Sequence, residues 1–444
     1  MKNFLTRRRT LQLIGLSTLG FGNWRPALAD HMATDPQRRR QCILLWMSGG
    51  PSQIDTFDMK PDHENGGEFK EVATIVPGLR FSEHLPRLAL QADKLAIIRS
   101  LSTKEGDHDR ASYLVRTGER PLSPVNYPSI AASLGKELSK SGDTLPPYVS
   151  IAPSNGAARG GFGSGFLGAK YGPVIVGGGM TSAAPIATAA GTSFAELKIN
   201  SIDRPADVSA SQAERRLAIW KSLESEFLTS HPTSSVESHR ATYDNALHMI
   251  QSEAPEAFDL AKEAPLVREA YGRGFFGQGC LLARRLIERG VPLVEVSLSS
   301  SSAGAFAWDT HANNFEAVKA LSAELDAGWS ALMTDLSDRG LLQNTTIAWM
   351  GEFGRTPRIN RQAGRDHFPR AWSCVLAGGG IAGGQAYGAT SKDGSAIEAD
   401  AVGVQDVIAT LCSAVGVNPA QENTSNTGRP VKLVNGTPIQ KLLA

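Results

Sequence analysis

Cys42-Ile43-Leu44-Leu45-Trp46-Met47, followed at once by Ser48-Gly49-Gly50-Pro51-Ser52-Gln53, is the stretch on which the fold reading turns. Consecutive apolar residues that stop at a Gly-Pro loop show no polar alternation, the mark of a strand covered on both faces. Such a strand belongs in a parallel sheet layered between helices. Outward from it, Leu85 to Ala92 has helical spacing and Leu95-Ala96-Ile97-Ile98-Arg99 is again a short apolar strand, so the chain opens strand, helix, strand.

The second half repeats the alternation. Gln278 to Arg289 sets Leu281, Leu282, Leu286 and Ile287 on a helix that stops at Gly290 and Pro292. Leu293 to Leu298 reads as a strand, and Val318, Leu321, Leu325, Trp329, Leu332 and Leu336 step by three or four along one helix of about twenty residues. Thr345 to Met350 and Trp372 to Ala377 are further strands, and Val404 to Val415 is a last helix. Asn435-Gly436 between short apolar runs predicts a hairpin over 428–444. The expected fold is α/β: a doubly wound, mostly parallel sheet with helices on both faces and with loop and helical insertions. Residues 152–265 are the expected insertion or lid, with a glycine-rich stretch from Arg159 to Gly179, an Ala/Ser/Thr stretch from Ser182 to Ser193, and polar helices over Ala210 to Leu228 and Val236 to Ser252.

At 444 residues with 41 % hydrophobic and 20 % charged, the chain buries a sizeable core, and no apolar run of about 18 residues or more supports a membrane span. The first thirty residues read as an export signal. Arg7, Arg8 and Arg9 precede a short apolar stretch from Leu11 to Phe21, and Ala27-Leu28-Ala29 offers a cleavage site before Asp30. Thr6-Arg7-Arg8-Arg9-Thr10-Leu11 resembles the twin-arginine signal, so residues 1–29 are expected to engage the twin-arginine export machinery and residues 30–444 to form one domain in the periplasm or outside the cell. Without that segment, 40 basic residues face 44 acidic ones, which argues against nucleic acid as a partner. Cys42, Cys280, Cys374 and Cys412 sit far apart in apolar or helical contexts and read as buried thiols in preference to long-range disulfides.

In an open α/β sheet, ligands collect beyond the carboxyl ends of the strands. After the first strand stand Ser52, Asp55 and Asp58; after Leu293 to Leu298 come Asp309 and His311; after Thr345 to Met350 comes Glu352; Asp366 and His367 precede the Trp372 strand. Carboxylates and imidazoles gathered from several strand ends suit one or two divalent ions, with zinc, manganese, magnesium and calcium all open. Asp309 and His311 could instead open the following helix as caps. Arg110 and Arg355 could grip a sulfate or phosphate group with a guanidinium fork, or form surface ion pairs. His31, His63, His231, His239 and His248 lie in tails, loops or polar helices and carry no expected role. The glycine-rich stretch lacks a strand-to-helix G-x-G-x-x-G, which argues against nucleotide binding.

Met47 to Pro61, Trp308-Asp309-Thr310-His311-Ala312-Asn313-Asn314-Phe315, Gly351-Glu352-Phe353-Gly354-Arg355-Thr356-Pro357 and Gly364-Arg365-Asp366-His367-Phe368-Pro369, together with Ala377 to Gly384 and Tyr387 to Thr390, carry a resemblance. They resemble the exported, sulfatase-like family catalogued as domain of unknown function 1501, grouped with the alkaline-phosphatase superfamily. The resemblance implies an alkaline-phosphatase-like α/β core and a metal-assisted hydrolase of phosphate or sulfate esters. It also implies metal binding by Asp309, His311 and His367, with Glu352 where that superfamily has an acid, Phe353 where it has a histidine, and Asp55 reaching back from the first loop. Sulfatases place a modified cysteine nine residues before a Thr-Gly pair; counting back from Thr117-Gly118 reaches His108, and no cysteine. His108 is therefore open as ligand, nucleophile or general base, and Ser112 and Ser52 as alternative hydroxyls, Ser52 also being an ordinary turn residue. The expectation is an exported hydrolase of small-molecule or glycan esters that uses metal-activated water. The rival is a catalytically inactive hydrolase-fold binding protein of the cell envelope.

Overall fold

A computed structural model of the protein describes residues 40–444 except 122–123, 141–142, 144, 155–160, 178–192, 200–206, 232, 252–253 and 301–306. The proposed export segment lies outside the described residues. A nine-stranded sheet forms the centre, made of β1 (Gln41–Met47), β2 (Leu95–Ser102), β3 (Tyr148–Ile151), β4 (Val174–Val176), β5 (Leu293–Leu298), β6 (Thr345–Met350), β7 (Trp372–Gly378), β8 (Gln385–Tyr387) and β9 (Val402–Gly403). Its order is β8-β2-β7-β6-β1-β5-β3-β4, with β9 also on β2. Every pairing is parallel except those of β7, which runs against both β2 and β6.

The unbroken apolar run of β1 now has its reason. Ile43, Leu45 and Met47 join one core cluster, and Cys42, Leu44 and Trp46 join a second on the opposite face. The first is closed by α5 (Phe275–Glu288) and α6 (Asn314–Asp338), the second by α2 (Ile130–Leu138) and α7 (Val404–Ala414). This is the doubly wound, mostly parallel α/β architecture. The remaining long helices are α1 (His108–Thr117), α3 (Ala210–Ser230) and α4 (Ser234–Gln251). No helix among the described residues is long and apolar enough to cross a membrane. Cys42, Cys280, Cys374 and Cys412 are buried free thiols.

Several local expectations change. The glycine-rich stretch is not loop throughout: Val174–Val176 adds a parallel edge strand to β3, because three β-branched residues survive between the glycines. The hairpin expected over 428–444 lies earlier, where Glu422–Thr424 pairs with Pro430–Lys432. Gly436 instead lies so close to the Gln405 carbonyl that a side chain would collide with it. Neither Asp309 nor His311 caps α6, whose cap is Asn313 in the left-handed region, φ 50°. Leu85 to Ala92 yields only the short helix Pro86–Ala89.

One consequence of the topology positions the site. The carboxyl ends of β1, β2, β5 and β6 lie along one edge of the sheet, and antiparallel β7 begins at that same edge. The loops carrying Gly49, His108, Asp309 and Glu352 therefore meet the segment carrying His367, although that segment precedes its strand.

Candidate metal centre

Each arm of the site is fixed by local backbone chemistry. Asp107 caps α1 by accepting from the Arg110 N–H at 3.1 Å, which makes His108 the first residue of the helix. Gly49 adopts φ +104°, and a Cβ there would stand 2.5 Å from the Asp309 nitrogen, so the two loops approach as closely as they do only because residue 49 is glycine. The Trp308 N–H donates to the Ser48 carbonyl at 2.8 Å and sets the Asp309 loop against the β1 loop. His367 enters on a two-residue antiparallel ribbon in which it faces Arg355.

Three imidazoles then present the same nitrogen. His108 Nδ1 donates to Glu352 Oε1, His311 Nδ1 to Asp366 Oδ1 and His367 Nδ1 to the Gly106 carbonyl, each at 2.8 Å. An acceptor on Nδ1 fixes the tautomer and turns Nε2 outward as the ligating atom. All three Nε2 atoms face Asp309: His367 and His311 lie 3.2 Å from Oδ1, and His108 lies 3.4 Å from Oδ2. His311 Nε2 and His367 Nε2 are 3.0 Å apart. Phe353 packs against the rings of His108 and His367 at centroid distances of 4.9 and 4.5 Å.

The electrostatics follow from these contacts. Burial alone would lower the His108 imidazole, but its hydrogen bonds to Asp309 and Glu352 push it up to about 9. For Asp309 burial works the other way, yet hydrogen bonds from His108 and His367 and the Arg355 guanidinium hold the carboxyl well below the usual carboxylate range. Asp366 is lowered chiefly by its hydrogen bond to His311. Glu352 Oε1 also accepts from the Gly49 N–H at 2.9 Å, while its Oε2 is buried without a hydrogen-bond partner.

The arrangement fits a divalent cation. Donor atoms of His108, Asp309 and His367 all lie within 4.8 Å of one another. Tetrahedral coordination with bonds of about 2.0–2.1 Å sets neighbouring ligand atoms about 3.3–3.4 Å apart, close to the 3.0–3.2 Å among His311, His367 and Asp309 Oδ1 and to the 3.4 Å from His108 to Asp309 Oδ2. Two imidazole lone pairs facing each other at 3.0 Å repel unless a proton or a cation lies between them. The bare Glu352 oxygen adds a further buried acceptor beside the cluster.

Other residues singled out in the sequence stand apart from this convergence. Asp55 is fully buried, with both oxygens engaged by Arg365 at 2.8 and 2.9 Å and a further bond from Asn314 at 2.8 Å, so it ties the scaffold together instead of reaching back to the cluster. Ser52 is buried, and its Oγ accepts from the Asp55 N–H at 3.3 Å within its own turn. Arg110 is 57 % exposed and pairs with Glu105. Arg355 is completely buried, and its fork is already in use on the carbonyls of Gly49, Gly50 and Arg365 and on Asp309 Oδ1, leaving it to hold Asp309 and not a substrate group. Asp366 contributes through His311. The Gly106 carbonyl and Asn360, which donates to the His311 carbonyl at 3.0 Å, belong to the site without any signal in the sequence.

No curated protein matches the chain. Among solved structures it is similar to a protein of the alkaline phosphatase superfamily from Vibrio parahaemolyticus, 12 % identical, covering 95 % of this chain and 78 % of that one, with a TM-score of 0.41. It is also similar to the PsFucS1 sulfatase from Pseudoalteromonas sp. (11 % identical, 88 % and 71 % covered, TM-score 0.40). A third is the lipoteichoic acid synthase LtaP from Listeria monocytogenes (9 % identical, 94 % and 82 % covered, TM-score 0.39). At these scores the likenesses carry no argument, and the fold rests on the sheet itself. The family model described as Protein of unknown function (DUF1501) matches residues 39–443, essentially everything after the leading segment, and the chain belongs to that family.

Proposed function

We propose that the chain is an exported, metal-dependent hydrolase of phosphate or sulfate esters, small or glycan-borne, acting through water and not through a protein nucleophile. The observation that carries the reading is the convergence of three Nδ1-anchored imidazoles on Asp309. Two imidazole nitrogens and a carboxylate within reach of one point, with a third imidazole, His311, beside them, favour a single zinc-class ion over magnesium or calcium, which take oxygen ligands. Held there, such an ion supplies Lewis acidity toward an ester oxygen and acidifies water.

The chain's own residues do the rest. Arg355 and the Gly49 turn hold Asp309 in place, while Asp366 and the Gly106 carbonyl keep protons on the outer nitrogens of His311 and His367. Glu352 keeps the Nδ1 proton of His108, and its second oxygen, buried without a partner, is an acceptor for a proton from water. Export rests on the arginine-led segment 1–29, whose pathway carries folded proteins, as suits a chain that acquires its ion before crossing.

The second reading, a non-catalytic envelope binding protein, is favoured by the engagement of Arg110 and Arg355 and the burial of Ser52. Zinc-loaded protein and an Asp309→Asn variant assayed on aryl phosphates and aryl sulfates separate the two. Turnover that disappears in the variant supports the hydrolase. Binding of sulfated or phosphorylated glycans without turnover of any ester supports the rival.

A further inference from the structure

Helix α3 spans 21 residues and buries none of them. Its inner side rests on α4 through the stack of Trp220 on Tyr243, centroids 5.1 Å apart. On its outer side Ile219 and Leu223 are 63 and 62 % exposed, and Phe227, 50 % exposed, lies at the edge of the Trp220 face, stacked on His231. Spaced four apart, Ile219 and Leu223 form one apolar stripe. Helices in proteins take most of their stability from packing an apolar face, and among the described residues this one has little of that source.

The charges on α3 point to what covers the stripe. Arg215 and Arg216 lie in the amino-terminal half, Glu224 and Glu226 in the carboxyl-terminal half, and none has an ion-pair partner among the described residues. With no acid in the first turn and no base in the last, the helix gains nothing from its macrodipole. An antiparallel second copy answers both features. A two-fold axis near Lys221 sets Ile219 on Leu223 of the second copy. Arg215 and Glu226 are eleven residues apart, about three turns, and so share one flank of the helix. Like flanks face each other across an antiparallel pair, which sets Arg215 beside Glu226 of the second copy. A lipid surface fits less well, because the charges are balanced between Arg215, Arg216 and Lys221 on one side and Glu214, Glu224 and Glu226 on the other, whereas a membrane-lying helix is rich in lysine and arginine.

We propose that the chain forms a two-fold homodimer through the outer face of α3, with Ile219 and Leu223 at its centre and Arg215 paired with Glu226 across the axis. The test is sedimentation equilibrium of the purified full protein beside Arg215→Glu, Glu226→Arg, and their equimolar mixture. The wild type is expected to dimerise, each reversed variant to dimerise more weakly by about tenfold or more, and the mixture to recover wild-type association. Unchanged circular dichroism in the variants keeps loss of folding from passing as loss of contact. A wild type that stays monomeric at all concentrations overturns the proposal, as does dimerisation indifferent to either reversal. A monomer that co-sediments with anionic vesicles would give the stripe to a lipid surface and likewise overturn it.

Discussion

Replacing Asp55 with asparagine removes one negative charge from the centre of the protein without changing the shape of the side chain. Asp55 and Arg365 are both fully buried, and the carboxylate takes Arg365 Nε at 2.8 Å, Nη2 at 2.9 Å and Asn314 Nδ2 at 2.8 Å. In the variant an amide N–H faces a guanidinium N–H, and the cation is left in a dry interior with one neutral amide oxygen and the carbonyls of Asn65, Thr356 and Pro357. Breaking a buried pair from one side costs about 3–5 kcal/mol. That is a large part of the about 5–15 kcal/mol that stabilises a typical domain. The damage reaches the site, because the Arg365 N–H donates to the Thr310 carbonyl at 2.9 Å and Thr310 Oγ1 donates to Asn314, bracketing His311. Equilibrium urea unfolding of chelator-treated protein is expected to show a lower midpoint at unchanged slope. The double variant Asp55→Leu/Arg365→Met is expected to cost less than the sum of its single changes by about 2–3 kcal/mol. A loss below about 1 kcal/mol for Asp55→Asn would refute the reasoning.

The remaining expectations concern the cluster. Gly49→Ala places a Cβ against the Asp309 backbone at φ +104°, costing about 1–3 kcal/mol and lowering metal retention, read by thermal unfolding with and without zinc. Glu352→Gln loses the carboxylate that orients His108, and metal affinity measured by competition with a chromogenic chelator is expected to fall about 10–100-fold. His108 stands at about 9 against an ordinary 6.5, so in metal-free protein the stability carried by its charged form is complete below about 6.5 and is lost as pH rises toward 9. Metal uptake displaces that proton, so zinc binding should tighten over the same interval and release acid in a weakly buffered titration, with the slope reduced in His108→Ala.

What the sequence discloses here depends on distance along the chain. The run Cys42 to Met47 declares a strand buried on both faces, because all of its residues must be apolar when alternate ones enter opposite cores. Asp309, His311, Glu352 and His367 stand beside strand ends, which is legible, but their convergence depends on strand direction. His367 reaches the site only because β7 runs antiparallel, and no local signal marks that reversal. The partners of Asp55 and Arg355 were hidden for a different reason. An acid after a strand looks available until an arginine 310 residues away takes both its oxygens, and a guanidinium looks free until the carbonyls of the first loop occupy it. The Val174–Val176 strand was masked by the glycines around it.

The most direct measurement is the metal content of protein purified folded and passed through gel filtration, wild type beside Asp309→Ala/His367→Ala and Arg110→Ala. One zinc-class ion per chain is expected in the wild type and in Arg110→Ala, whose side chain stands outside the cluster, and none in the double variant. An ion that persists when Asp309 and His367 are both replaced, or a wild type that takes up none even when zinc is supplied, would contradict a metal centre at this edge of the sheet.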